Sequence, residues 1–164
     1  MAEWAPPKET HPDSFVHATC LAIDGRGVLL RGASGSGKSD LALRAIDGEP
    51  GGSVRLVADD RVHLVATRSG ITASPMPGFE GLLEVRGLGI ARVPWMSDVP
   101  ICLILDLVER TAVPRLPAPA FETVLGAKLP LIPFDPFAAS APAKLKLAVR
   151  RIGQDGFPGD NGIL

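Results

Sequence analysis

The chain has 164 residues, 46% hydrophobic and 21% charged, with 17 basic against 18 acidic side chains and a formal net charge of −1. That length supports one domain with a sizeable core, and the even charge balance argues against nucleic acid as the main partner. No apolar run approaches the ~18 residues of a membrane helix, and the opening MAEWAPPKETH lacks the basic-then-apolar order of a secretory signal, so a cytoplasmic protein is expected.

Eighteen glycines and sixteen prolines cut the chain into short segments. A flexible lead-in is expected over 1–13, a single domain over 14–152 and a mobile tail over 153–164. The first strand is predicted at Val16–Ile23, with Asp24-Gly25 as a two-residue hairpin turn and Gly27–Arg31 as its partner. A glycine-rich loop follows, then a helix over Ser39–Asp47 with Leu41, Leu43, Ala45 and Ile46 on its apolar side. Val54–Ala58 reads as a strand ending at Asp59-Asp60. Arg61–Thr67 and Ile71–Ser74 read as a strand pair around Arg68-Ser69-Gly70. PMPGFEG is a loop, and Leu82–Arg86 is extended. Ile101–Val108, the most apolar stretch, is expected at the centre of the sheet. The proline-broken region Thr111–Pro136 receives no assignment. Ser140 is expected to cap a last helix, with Pro142 in its first turn and Leu145, Leu147, Ala148 and Ile152 on one face. Cys20 and Cys102 sit in apolar runs and read as buried free thiols in a reducing compartment.

The loop is the part of the chain that carries chemistry. Gly32-Ala33-Ser34-Gly35-Ser36-Gly37-Lys38-Ser39 satisfies G-x-x-x-x-G-K-[ST] in full. Glycines let successive N–H groups converge on phosphate oxygens, and the following helix adds its positive end. Lys38 is expected on the β and γ phosphates, and the Ser39 hydroxyl on Mg²⁺. The strand that delivers this loop comes from an antiparallel hairpin, whereas the usual phosphate-loop strand begins a parallel crossover.

Two acidic sites compete for the metal and base roles. One is Asp106, at the end of ICLILD; the other is the pair Asp59-Asp60, at the end of VRLVADD. Transfer to a hydroxyl needs one group to order the metal and another to take a proton, and adjacent carboxylates can divide those tasks. His17 is a candidate because it lies 21 residues before Lys38, on a strand expected to pair with the loop strand. His11 and His63 are weaker candidates. Glu84-Val85-Arg86-Gly87-Leu88-Gly89-Ile90 reads as a loop where backbone approaches a ligand.

Three blocks, GASGSGKSD, LVADDRV and LEVRGLGIA, together resemble the catalytic C-terminal domain of bacterial HPr kinase/phosphorylase. The resemblance implies an α/β P-loop kinase of the HPr kinase and phosphoenolpyruvate carboxykinase-like type, a mixed sheet with flanking helices. It implies transfer of phosphate from ATP to a serine of HPr, the carrier protein of the sugar phosphotransferase system. Mg²⁺ would be the metal, and relatives assemble as hexamers. Carried over by position, Lys38 and Ser39 keep the loop roles and Glu84 becomes a magnesium ligand. Asp60 becomes the base with Asp59 in support, and His17 becomes the histidine ahead of the loop. Arg115 becomes the downstream arginine, with Arg110 as the other choice. Against the family pattern, this sequence looks like a short proteobacterial form without the N-terminal domain. No arginine lies between Leu131 and Ala143, where Lys144 is the nearest cation, so kinase activity is expected over phosphorylase activity. The alternatives are a nucleotide-dependent sensor that binds HPr without catalysis, or a small-molecule P-loop kinase.

Overall fold

The computed structural model describes residues 13–155. Positions 1–12, with His11, and positions 156–164 lie outside the described residues, so most of the expected lead-in and tail falls there.

The chain runs β1 (Asp13–His17), β2 (Thr19–Ile23), β3 (Arg26–Arg31), α1 (Lys38–Asp47), β4 (Val54–Ala58), β5 (Arg61–Thr67), β6 (Gly70–Pro75), β7 (Leu82–Val85), β8 (Gly89–Arg92), β9 (Val99–Leu107), β10 (Phe121–Val124), β11 (Ala127–Phe134) and α2 (Ala141–Asp155). This is the expected α/β architecture with a mixed sheet and flanking helices. The strands lie in the order β1-β5-β6-β9-β3-β2-β4, with β11 also on β9 and β10 on β11; β7 and β8 form a separate ribbon.

β9 is the seam of the molecule. Val99 and Pro100 pair with β6 in one wall of the sheet, while Ile104–Leu107 pair in parallel with β11 in the other. Its opposite edge carries β3, also in parallel. Between Gly27 and Val28 the partner jumps from Ile101 to Leu103, a bulge that passes Cys102 and switches the inward face. Leu103, Leu105 and Leu107 therefore face the helices, whereas Ile101 and Ile104 face the β5–β6 wall. Gly27 makes the crossing possible, because a Cβ there would come within 2.5 Å of Ile101 Cδ1. A similar jump on β4 passes Val57. It sends Val54 and Leu56 to the helix side and Val57 and Ala58 to the other.

Two cores result, one between the sheet and α1/α2, the other between the two walls of the sheet. On α1 the fully buried apolar residues are Leu41, Ala42 and Ala45, with Leu43 and Ile46 half-buried beside them. On α2 they are Ala141, Leu145 and Val149; the expected Leu147 is 45% exposed instead. The 3.6-residue period explains the exchange, since Ala141, Leu145 and Val149 are spaced i, i+4, i+8 and define the stripe that Leu147 misses. Cys20 is fully buried, Cys102 half-buried, and both are free thiols whose burial pushes their proton affinity up. No described helix is long and apolar enough to cross a membrane.

One further sequence expectation is corrected, and one unassigned region is filled. The first strand is split at Ala18, and its first half pairs with β5 rather than with the loop strand. The unassigned region contains the β10–β11 hairpin, whose second strand extends the central sheet.

Asp106 at the end of β9 is consumed by structure. Arg31 donates to both its oxygens, at 2.8 and 3.1 Å, and to both oxygens of Glu122 at 2.7 Å. Removing the guanidinium leaves two carboxylates facing each other. Both are 38% exposed, which moderates the cost. Arg31→Met should lower stability by about 2 kcal/mol, or roughly 4–8 °C in Tm by calorimetry. Hydrogen bonding to Arg31 holds the Glu122 carboxyl below its ordinary value of 4.5. That stability is therefore complete above this value and lost as pH falls through the lower folded-state value. The variant's stability should fall less steeply with acid over that window.

Candidate active site

The hairpin turn at Asp24 and Gly25, with φ of 52° and 79°, reverses β2 into β3, and β3 delivers the chain to the glycine loop. Gly37, the residue before α1, has φ 96°. Only glycine adopts that conformation at little cost, and a Cβ there would also press on the Phe137 ring at 3.0 Å. The N-terminus of α1 has no side-chain cap, so its first-turn N–H groups are free for an anion. Lys38 is 7% exposed, and its Nζ donates to the carbonyls of Gly32 and Ala33 at 2.7 and 2.9 Å. An ammonium has three donors, so one remains for a phosphate oxygen. Ser36 Oγ is the buried side-chain polar atom without a partner among the described residues. An orphan hydroxyl inside this loop fits a phosphate-binding cradle.

Asp59 is anchored on three sides. Its Oδ1 accepts from Ser39 Oγ at 2.9 Å and from Thr19 Oγ1 at 2.8 Å. Its Oδ2 accepts from the Glu84 backbone N–H at 3.2 Å. Thr19 is fully buried, and sequence reasoning missed it. The signal was present, since a lone hydroxyl in the apolar run ATCLAI must find a partner. Among the described residues no group of three or more His, Cys, Asp or Glu is gathered as a metal cage. Magnesium at a phosphoryl-transfer site takes one or two carboxylates and completes its shell with hydroxyl, water and phosphate oxygens. Ser39 Oγ beside Asp59 Oδ1 fits such a donor set.

Asp60 differs from its neighbour in every respect. It sits in the left-handed region at φ 66°, it is exposed, and its Oδ1 lies 3.1 Å from His17 Nδ1. His17 reaches it because β1 pairs with β5, which sets His17 opposite Arg61. The sequence expectation paired the histidine's strand with the loop strand; it pairs with β5 instead, and His17 lies beside Asp60.

A cleft of about 510 Å³ joins these parts and is lined by His17, the glycine loop, Asp59, Asp60, Glu84, Arg86 and Phe137. Gly32 and Ala33 contribute carbonyls to Lys38 rather than lining. Ser34, Gly35, Gly37, Lys38 and Ser39 line the cleft directly. Glu84 and Arg86 come from the β7–β8 ribbon, which packs on the helix-side core through Leu83. Arg86 and Phe137 were also missed. Arg86 lay inside a stretch already singled out, whereas nothing in the sequence marked Phe137. Arg115 and Arg110 are exposed and do not line the cleft, and neither does Lys144. His63 is bonded to Asp13 and stacked on Phe15.

Fold and cleft together define a P-loop phosphate-binding domain in which the loop strand leaves an antiparallel hairpin. The family described as HPr serine kinase C-terminal domain matches residues 8–97, and the chain belongs to that family. Among curated proteins it is 45% identical over 113 residues to the HPr kinase/phosphorylase of Bordetella pertussis, covering 64% of this chain and 35% of that one. It is 33% identical over 105 residues to the HPr kinase/phosphorylase of Mycoplasma mycoides, covering 60% and 32%. The chain thus spans about a third of the length of these relatives. Among solved structures, the Hpr(Ser) kinase/phosphatase from Coxiella burnetii superimposes with a TM-score of 0.75 at 28% identity. The match covers 87% of this chain and 99% of that one.

Proposed function

We propose that this domain is an ATP- and Mg²⁺-dependent protein serine kinase acting on HPr. The carrying observation is that adjacent carboxylates have different partners: Asp59 is tied to Ser39 at 2.9 Å, and Asp60 lies in the cleft 3.1 Å from His17. In this reading the amides of the glycine loop and Lys38 hold the β and γ phosphates and spread the charge of in-line transfer. Ser39, Asp59 and Glu84 would hold Mg²⁺, which supplies charge neutralisation on the phosphates when bound. Asp60 accepts the proton of the incoming serine hydroxyl, with His17 holding its carboxylate in place. Arg86, on the ribbon, adds a cation on the acceptor side. Arg115 keeps only the role that resemblance gives it, since it would have to reach the site from outside the cleft. The stretch from Leu131 to Ala143 holds no arginine, and kinase rather than phosphorylase activity is what we infer. Assembly as a homo-oligomer, a hexamer by resemblance, and a cytoplasmic location belong to the same reading. Light scattering on the purified protein checks the assembly.

Incubation with ATP, Mg²⁺ and purified HPr followed by intact mass tests the activity. One phosphate gained on HPr supports the kinase. Nucleotide binding without a mass change would leave a sensor, and phosphate on small metabolites would leave a small-molecule kinase.

Thr19 gives a sharper check on the metal side. Thr19→Val keeps shape and strand preference but removes one donor to Asp59. The half-saturating Mg²⁺ concentration should rise up to roughly tenfold, the worth of one charge-assisted hydrogen bond, and the Tm should fall by a few degrees because the same bond is made without metal. Thr19→Ser should restore it.

A further inference from the structure

The parallel strands β3, β9 and β11 end on one rim of the sheet, and in open α/β sheets ligands seat beyond the carboxyl ends of such strands. The glycine loop follows β3. In the strand order, Asp59 and Asp60 follow β4 on one side of it, and the loop at 135–140 follows β11 on the other. That loop brings Phe137 into the cleft.

An aromatic ring that is 67% exposed calls for a reason, because this one is not loosely held. Its backbone N–H donates to Asp135 Oδ1 at 3.0 Å, and Arg44 of α1 donates to the Pro136 carbonyl next to it. Its ring edge lies 3.0 Å from where a Cβ on Gly37 would sit. Leu43, one turn along α1 from Ser39, lines the same cleft. The cleft is therefore carboxylate-rich on the β4 side and apolar on the β11 side, with the phosphate loop between. A phosphate chain whose reacting end must lie beside Asp60 has its other end directed toward Phe137.

We propose that Phe137 is the stacking platform for the purine base of the bound nucleotide. The assignment rests on reading the cleft as a nucleotide site. Base stacking on an aromatic side chain is worth roughly 5–160-fold in affinity by alanine substitution. None of the hydrogen bonds made by the Lys38 and Ser39 side chains involves Phe137, so its contribution belongs to the nucleoside.

The test compares Mg²⁺-dependent binding of a non-hydrolysable ATP analogue and of inorganic tripolyphosphate to the full chain, by calorimetry. Phe137→Ala should weaken the analogue roughly tenfold and leave tripolyphosphate within about twofold. Phe137→Trp should keep analogue affinity, and its fluorescence should respond to the analogue but not to tripolyphosphate. Equal loss for both ligands, or no loss for the analogue, would overturn the platform while leaving the phosphate cradle intact. A wild-type protein that binds neither ligand would overturn the cradle and the platform together.

Discussion

Asp60→Asn should slow phosphate transfer to HPr by roughly 10²–10⁴-fold, the range for loss of a positioned general base, while leaving nucleotide affinity nearly unchanged. The separation follows from the contacts. Asp60 bonds to His17, whereas the loop and Ser39 are served by Lys38 and Asp59. Asparagine is the right replacement because the backbone sits at φ 66°, a conformation asparagine tolerates and alanine resists. Single-turnover transfer measured beside calorimetric nucleotide binding checks both halves. If transfer persists in Asp60→Asn, the base must be sought elsewhere in the cleft.

Lys38→Ala should be at least as damaging, with transfer down by roughly 10³-fold or more, and here nucleotide binding should fall too. Two effects add. The ammonium that would meet the phosphates is gone, and so is the tie that holds the Gly32 and Ala33 carbonyls. Lys38→Arg should not rescue the loss. The planar guanidinium fork cannot replace a compact point charge in a site only 7% exposed. Thermal melting alongside the binding measurement separates a loosened loop from an unfolded domain; we expect the Tm to stay within a few degrees.

The elements that could be read in advance were those whose signals are local. Asp24-Gly25 dictates its hairpin. The G-x-x-x-x-G-K-S loop dictates a strand before it and a helix after it, and Val54–Ala58 came out as read. What escaped depends on tertiary partners. The run from Val16 to Ile23 looks continuous, and only the presence of β5 decides that it breaks at Ala18. The β10–β11 turn is made by Leu125-Gly126, with leucine at φ 46°, a residue no turn preference would choose. β11 itself holds Pro130 and Pro133, which argue against a strand beside a central one; Pro130 pairs with β10, and the strand joins β9 only over its last four residues. For the site, the rule that adjacent acids divide their tasks separated Asp59-Asp60 from Asp106. Only the fold revealed Arg31 as the partner of Asp106 and Thr19 as the hidden support of Asp59.

The step from Asp59 to Asp60 is also the step from one wall of the sheet to the other, since β4 ends and β5 begins there. A single peptide link thus joins the carboxylate tied to Ser39 to the one that, in the proposed reaction, would take the proton, so the two tasks belong to different walls of one sheet.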